Sequence, residues 1–167
     1  DPLLNRGLEV WKPVIAAVNG YCLGGGLTLM FATDLRVAAE HASFGLSEVS
    51  RGIVAANGGT QRILSQLPHA IGMEMLLTGD LISAPDAFRI GLVNRVVAPG
   101  SELEAALALA REIAGKSSHV VKIGKQAFYR QLEMGLDDAY RFTSEVMVAN
   151  MLASDAQEGI AAFIAKR

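Results

Sequence analysis

Cysteine is nearly absent from the 167-residue chain, in which Cys22 stands alone. A single thiol excludes an intrachain disulfide framework and any metal site built from several thiolates. It also suits a reducing compartment, so we expect a cytoplasmic protein, or one of the mitochondrial matrix if the source is eukaryotic. The three histidines have no ligand-like spacing, and we therefore expect no metal site.

A charge excess and a long apolar run are missing as well. The net charge is −2 and charged residues make up 19%, which gives no electrostatic basis for binding nucleic acid or an anionic membrane. No apolar run reaches the roughly 18 residues that a membrane span needs. Hydrophobic residues make up 51%, which indicates an ordered globular chain that can bury a core. Neither nucleic acid nor a membrane is an expected partner.

The chain does contain a mixed α/β pattern followed by a purely helical one. Residues 14–18 form a continuous apolar run, which predicts a strand buried on both faces. The other predicted elements of the mixed part are strands at 35–38, 43–45 and 92–97, and helices at 27–32, 58–67, 70–77 and after a capping Ser83. Amphipathic stripes then predict helices from Ser101 onward, the last three at 120–133, 137–153 and 156–166. We therefore predict an α/β region over residues 1–98 and a helical region over residues 99–167.

The first residues suggest that part of the fold is supplied from elsewhere. The chain opens at Asp1-Pro2 without Met, and Trp11-Lys12-Pro13 leads straight into the apolar strand. A strand buried on both faces needs sheet neighbours, yet little else in the chain has a strand pattern. We expect an N-terminal part to be missing or to lie in another polypeptide.

Three consecutive glycines, Gly24, Gly25 and Gly26, follow that strand and open an apolar helix. Unpaired amides at a helix N-terminus can bind an anion or stabilise an oxyanion, although a tight turn that lets the helix pack is the plainer interpretation. Two nucleotide motifs fail on spacing. The dinucleotide fingerprint would need a glycine where Leu29 stands, and a P-loop would need a lysine at Gly26.

Glu48 is the second candidate for chemistry. It follows the apolar piece at 43–45, and no basic residue occurs nearby before Arg51. A carboxylate in a small apolar pocket can transfer protons, whereas the plainer interpretation is a solvated loop acid. The neighbouring Ser47 is not a hydrolase nucleophile, because Val49 replaces the second glycine of the G-x-S-x-G elbow.

The chain resembles the enoyl-CoA hydratase/isomerase (crotonase) family. The resemblance begins with the string Lys12-Pro13-Val14-Ile15-Ala16-Ala17-Val18-Asn19-Gly20-Tyr21-Cys22-Leu23-Gly24-Gly25-Gly26. It continues in order through Asp34, Phe44-Gly45, Glu48, Gly52, Gly58-Gly59-Thr60-Gln61-Arg62, Glu74-Met75-Leu76-Leu77-Thr78-Gly79, Ala87, Gly91-Leu92-Val93, Glu158-Gly159 and Ala162-Phe163. Nearly the whole chain is covered, which is far more specific than any one of these motifs.

The resemblance implies the crotonase-like (ClpP/crotonase) fold, a spiral of ββα units followed by an all-helical C-terminal region used in trimerisation. A homotrimer, or a hexamer built as a dimer of trimers, is therefore expected. It also implies an acyl-CoA thioester as substrate and no cofactor other than the coenzyme A that the substrate carries. The thioester enolate would be held by two backbone amides. One of them matches Gly25, and the other belongs to an N-terminal Ala-Gly-rich loop that this chain does not show.

The family's hydratases use two glutamates on opposite sides of a water. Glu48 matches the second of them, whereas the position of the first holds Thr28, which would line the pocket opposite Glu48. Ala55-Ala56 replaces the usual Pro-Gly of the following loop, and Asn57 adds an amide there. The residues expected to bind substrate are Leu23, Gly24, Gly26, Asn57, Phe163 and Lys166.

These implications predict an enoyl-CoA hydratase that stabilises a thioester oxyanion and uses one catalytic glutamate. Two alternatives remain open. One is a Δ3,Δ2-enoyl-CoA isomerase, since such enzymes shuttle a proton with a glutamate at the position of Glu48. The other is a non-catalytic relative that binds acyl-CoA. The threonine at position 28, in place of a glutamate, favours this second alternative.

Overall fold

The computed structural model of the chain describes residues 3–167, and these fall into two compact units. The first unit is α/β and contains residues 3–10 and Val14–Ala110. The second unit is helical and contains Trp11–Pro13 and Arg111–Arg167. This division falls inside a helix, whereas the predicted boundary at residue 98 precedes that helix and stays a prediction.

Six short strands form the sheets of the first unit within the described residues. They are β1 (Ile15–Val18), β2 (Tyr21–Leu23), β3 (Leu35–Ala39), β4 (Ser43–Gly45), β5 (Ile82–Ser83) and β6 (Arg95–Val97). One sheet has the parallel order β1-β3-β6. The other has the order β2-β4-β5, in which β5 alone is antiparallel to its neighbour.

The pairing of these strands is that of a spiral. Ile15 pairs with Leu35 in the first sheet, and Tyr21 pairs with Ser43 in the second. The chain therefore places one strand in each sheet, crosses a helix, and returns one turn later beside its own previous strands. The predicted succession of ββα units is confirmed.

Eight α-helices occur within residues 3–167. They are α1 (Gly25–Met30), α2 (Gly59–Gln66), α3 (His69–Thr78), α4 (Ala84–Arg89), α5 (Glu102–Ala114), α6 (Ser118–Gln131), α7 (Leu136–Met151) and α8 (Ser154–Ile164). A 3-10 turn, Val49–Arg51, lies between β4 and α2. The chain is helical beyond Pro99-Gly100, as predicted, and none of its described helices is both long and apolar enough to cross a bilayer.

Two strand predictions need correction. The strand predicted at 92–97 covers only Arg95–Val97, because the Asn94 side chain accepts a hydrogen bond from the Arg36 amide at 2.7 Å in place of strand backbone. The strand predicted to be buried on both faces is only half-buried, and Ala17 is exposed. It lies at the edge of its sheet, with β3 as its one neighbour among the described residues.

A single apolar core supports α1 and β4. Its largest side chains, each less than 2% exposed, are Phe31, Phe44, Leu27, Leu46, Ile63 and Leu92. Leu27 comes from α1, Phe44 from β4, and Leu46 from the residues that follow β4. The segments that carry the glycine triplet and Glu48 are therefore fixed on the same core.

Candidate active site

Gly24 joins the end of β2 to the start of α1. Its amide donates to the Gly45 carbonyl at 2.9 Å, and its φ of 50° lies in the left-handed region that glycine tolerates. The Thr28 amide donates to the Gly24 carbonyl at 2.9 Å and closes the first helical turn. The amides of Gly25 and Gly26 precede this bond, so they have no acceptor within the helix.

The start of α1 faces open space. Gly25 and Gly26 are exposed. Among the described residues, no heavy atom outside the adjoining backbone lies within 4 Å of the point where a Cβ on either glycine would stand. The first turn of α1 is therefore exposed and uncrowded on the side of these Cβ positions.

Glu48 lies directly beside this helix start. A Cβ at Gly24 would be 3.3 Å from Oε1 of Glu48 and 3.8 Å from Oε2, so the absence of a side chain at Gly24 makes room for the carboxylate. Oε2 is buried and has no hydrogen-bond partner in the described part of the chain. A buried carboxylate oxygen without a donor is uncommon in folded proteins and marks a place where a ligand proton or a water can bind. The structure thus brings Gly24 and Glu48 together.

A tight turn holds the backbone of Glu48. Its carbonyl accepts hydrogen bonds from the amides of Arg51 at 2.9 Å and Ile53 at 3.2 Å. Nη1 of Arg51 donates to the Ser47 carbonyl at 3.2 Å and to the Ser47 hydroxyl at 3.0 Å. Arg51, the basic residue nearest to Glu48 in sequence, therefore stabilises the turn. The hydrogen bonds of its guanidinium go to Ser47.

Thr28 directs its hydroxyl proton into its own helix. The side chain is 1% exposed, and Oγ1 donates to the Gly25 carbonyl at 2.9 Å. On the other side Thr28 lies near the Gly58 turn, where a Cβ would be 3.8 Å from that of Thr28. The structure places Thr28 against the loop before α2, and its predicted role toward a substrate stays a prediction.

The loop before α2 carries Asn57. Its carbonyl accepts a hydrogen bond from Nδ2 of Asn5 at 2.9 Å. Gln61 accepts from the Gly58 amide at 3.1 Å and donates to the Ala56 carbonyl at 2.8 Å, which fixes the loop onto the first turn of α2. Sequence reasoning missed Asn5, because nothing in the sequence links two positions 52 residues apart.

The remaining predicted substrate contacts are divided between the two units. Leu23 is half-buried at the end of β2 in the first unit. Phe163 is 85% exposed on α8, and Lys166 follows that helix, both in the second unit. Their predicted roles stay predictions.

Cys22 is a buried thiol and does not add a thiolate to the site. Burial raises the pKa of the Cys22 thiol to about 11, against an opposing electrostatic effect of Arg36, so the thiol stays protonated near neutral pH. Within residues 3–167, no three His, Cys, Asp or Glu side chains come together as metal ligands would. The chemistry that this arrangement supports is proton transfer by one carboxylate beside unpaired amides.

Comparisons with known proteins agree with this geometry. A profile of the enoyl-CoA hydratase/isomerase family matches residues 1–167. The chain is 39% identical to the (E)-benzylidenesuccinyl-CoA hydratase of Thauera aromatica, over 100% of this chain and 65% of that protein. It is also 39% identical to the short-chain-enoyl-CoA hydratase of Clostridium acetobutylicum, over 97% of this chain and 62% of that protein.

A solved structure of an enoyl-CoA hydratase also matches the chain. The crystal structure of enoyl-CoA hydratase from Mycobacterium tuberculosis H37Rv matches with a TM-score of 0.89 at 41% identity, over 94% of this chain and 62% of that one. The expected fold is thereby confirmed. The chain spans less than two thirds of the length of each of these three relatives.

Proposed function

The chain belongs to the enoyl-CoA hydratase/isomerase family, and on that premise we propose that it acts on acyl-CoA thioesters as an enoyl-CoA hydratase. The observation that carries the proposal is that the Glu48 carboxylate lies beside Gly24, in the space that a side chain there would fill, at the glycine-opened start of α1. The acyl-CoA is the substrate, with coenzyme A as its carrier, and the reaction uses neither a metal nor a redox cofactor.

In the proposed reaction the amide of Gly25 donates a hydrogen bond to the thioester oxygen. Charge grows on that oxygen as an enolate forms, so the bond strengthens in the transition state, and one such donor typically contributes ~10²–10³ in rate. Glu48 transfers the proton between the substrate carbon and water. Its buried Oε2, which has no donor among the described residues, is the atom that would take the proton.

Other predicted contacts take supporting roles in this proposal. Gly24 and Gly26 let the substrate approach the helix start closely, and Leu23 lines the end of the strand before it. Asn57 offers an exposed amide on the loop before α2.

The test is Glu48→Gln, which keeps the size of the side chain and removes the base. We expect the hydration of 2-butenoyl-CoA to fall by ~10²–10⁴ in kcat, the range typical of a general acid–base residue, with nearly unchanged calorimetric affinity for the saturated butyryl-CoA. The exposed Glu40→Gln, which removes a carboxylate from the same unit, is the matched control and should retain its activity. Full turnover by Glu48→Gln would remove Glu48 from the mechanism.

A second candidate function is Δ3,Δ2-isomerisation without hydration. The observation in its favour is that Thr28, at the position of the family's first glutamate, is buried and hydrogen-bonded to Gly25. A neutral hydroxyl cannot act as a base at pH 7, and isomerisation is a reaction that one carboxylate can complete. Supplying 3-butenoyl-CoA and 2-butenoyl-CoA separately distinguishes the two functions, because only a hydratase forms the hydroxyacyl product.

A non-catalytic acyl-CoA-binding protein is the third outcome of these experiments. Such a protein would bind butyryl-CoA yet leave its α-carbon protons unexchanged in deuterated water. Deuterium uptake that depends on Glu48 would exclude it.

The proposal includes a homotrimer, or a hexamer formed by two trimers, in the cytoplasm or in the mitochondrial matrix of a eukaryote. The support for assembly is the apolar surface of the helical unit, where Leu152 is 75% exposed and Phe163 85%. The support for the location is the single cysteine, which suits a reducing compartment.

A further inference from the structure

A left-handed turn at Gly79 ends α3. The Gly79 amide donates to the Met75 carbonyl at 3.2 Å, and its φ is 72°. Helices often end with a glycine in this conformation, so the turn by itself indicates no more than a stable helix end.

The packing of Gly79 goes beyond that of an ordinary helix end. A Cβ on this residue would lie 2.9 Å from Oγ of Ser50, 3.0 Å from Cγ1 of Val49 and 3.6 Å from Cα of Ser47. Ser47 and Val49 are the direct neighbours of Glu48, and Ser50 follows Val49. A side chain at this position would be too close to Oγ of Ser50 and in a tight contact with Cγ1 of Val49, so glycine lets the end of α3 approach the turn without displacing either.

We propose that Gly79 is a positioning residue for Glu48, acting by the close packing of the end of α3 against residues 47–50. The inference rests on the proposed function, since it concerns the placement of the proposed catalytic carboxylate. Glu48 is then confined from two sides. Gly24 makes room for its carboxylate, and Gly79 fixes the backbone that carries it.

A small displacement of this backbone is enough to affect catalysis. A misplacement of about 1 Å can cost ~10² in rate even when it originates away from the reacting atoms. A methyl group on Gly79 would press on the side chains of Ser50 and Val49, and we expect them to pass part of that displacement to the turn. We therefore expect Gly79→Ala to lower kcat about tenfold while the affinity for butyryl-CoA stays nearly the same.

Gly91 is a matched control for the strain of a side chain at positive φ. It also follows a helix, α4, and its φ is 79°, but no heavy atom of residues 3–167 lies within 4 Å of its Cβ position apart from its chain neighbours. Strain at positive φ should lower the melting temperature of both Gly79→Ala and Gly91→Ala, with a further loss in Gly79→Ala from the close contact, whereas only Gly79→Ala should lower kcat. Gly79→Asn and Gly91→Asn repeat the comparison with a residue that tolerates the left-handed region, in case an alanine variant does not fold.

Relief of the contact supplies an independent readout. Val49→Ala and Ser50→Ala remove the two atoms nearest the new methyl group. Adding both to Gly79→Ala should restore kcat toward the value of the Val49→Ala/Ser50→Ala protein. A merely destabilising effect of Gly79→Ala would not be corrected in this way.

The outcomes separate this inference from the proposed function. Equal kcat in the Gly79 and Gly91 variants, with Glu48→Gln inactive, overturns the positioning role and leaves the proposed function in place. Full turnover by Glu48→Gln overturns both. A selective kcat loss in Gly79→Ala, relieved by the two alanines, supports the inference.

Discussion

Thr28 is the residue at which this chain departs most from a two-glutamate hydratase. Its hydroxyl donates to the Gly25 carbonyl at 2.9 Å, inside the helical turn whose amides face open space. That turn has no side-chain N-cap and begins with glycines, which are the residues least inclined to stay helical. The hydroxyl of Thr28 therefore stabilises the conformation of the proposed oxyanion donor.

Thr28→Val and Thr28→Ser test this role. Valine has nearly the same shape and lacks the hydrogen bond, so we expect it to lose about 0.5–1.5 kcal/mol of unfolding free energy and to lower kcat several-fold. Serine keeps the hydroxyl, and its kcat should stay nearer the wild-type value. Urea unfolding and turnover of 2-butenoyl-CoA measure both effects. Wild-type kcat and stability in Thr28→Val would show that the hydrogen bond is dispensable.

Glu48 and Gly25 were identified from the sequence through their family resemblance, whereas their surroundings were not. The contact of Glu48 with Gly24 and the unpartnered Oε2 depend on side-chain positions that no spacing rule gives. Gly79 lies 31 positions beyond Glu48, and its role depends on how closely two backbones approach. Interactions of this kind are set by tertiary packing, which a local pattern does not record.

At the scale of elements, the helices and the longer strands follow from the sequence because their signals are local. The predicted bounds of these elements lie within a few residues of the observed ones. They were predicted from apolar periodicity, from the cap at Ser83 and from glycines at helix ends. The strands β2 and β5 were missed because runs of three and two residues are too short to show an alternation. Each is a strand only because β4 pairs with it.

The cap of α4 gives a prediction at this scale. Oγ of Ser83 accepts from the Asp86 amide at 3.2 Å and donates to the Asp86 carboxylate at 2.8 Å. Ser83→Ala should lower the unfolding free energy by about 1 kcal/mol at neutral pH, as measured by urea denaturation. Ser65→Ala, an exposed substitution inside α2, is the control and should cost less.

The effect of Ser83→Ala should depend on pH. Hydrogen bonds from Ser83 and then Arg89 lower the pKa of Asp86 below its ordinary value of 3.8. A lowered folded-state pKa contributes stability above the unfolded-state pKa, and this contribution is lost as the pH falls through the folded value. The difference in unfolding free energy between wild type and Ser83→Ala should therefore become smaller at acid pH. A difference that stays constant below about pH 4 would show that the carboxylate takes no part in the cap.

At the scale of the whole molecule, the exposed apolar surface of the helical unit is relevant to whether copies of the chain associate. Four apolar side chains, each between 46% and 75% exposed, lie at helical spacing along α7 and its C-cap. They are Met147, Val148, Met151 and Leu152. An exposed apolar stripe of this kind usually marks a contact surface. If the proposed trimer buries it, a charge there should weaken assembly, because the carboxylate would lose its water without gaining a partner.

Val148→Glu is the corresponding test, with Ala149→Glu as its control. Residue 149 is exposed on the same helix but lies about 100° further round its axis than residue 148, away from the stripe. Sedimentation should give the wild-type protein and Ala149→Glu a mass of three or six times the 17.7 kDa of one chain, and Val148→Glu a smaller one. Because the site residues Gly25 and Glu48 belong to the other unit, butyryl-CoA binding by Val148→Glu then reveals whether assembly is needed for substrate binding. A wild-type mass equal to that of one chain would exclude the trimer outright.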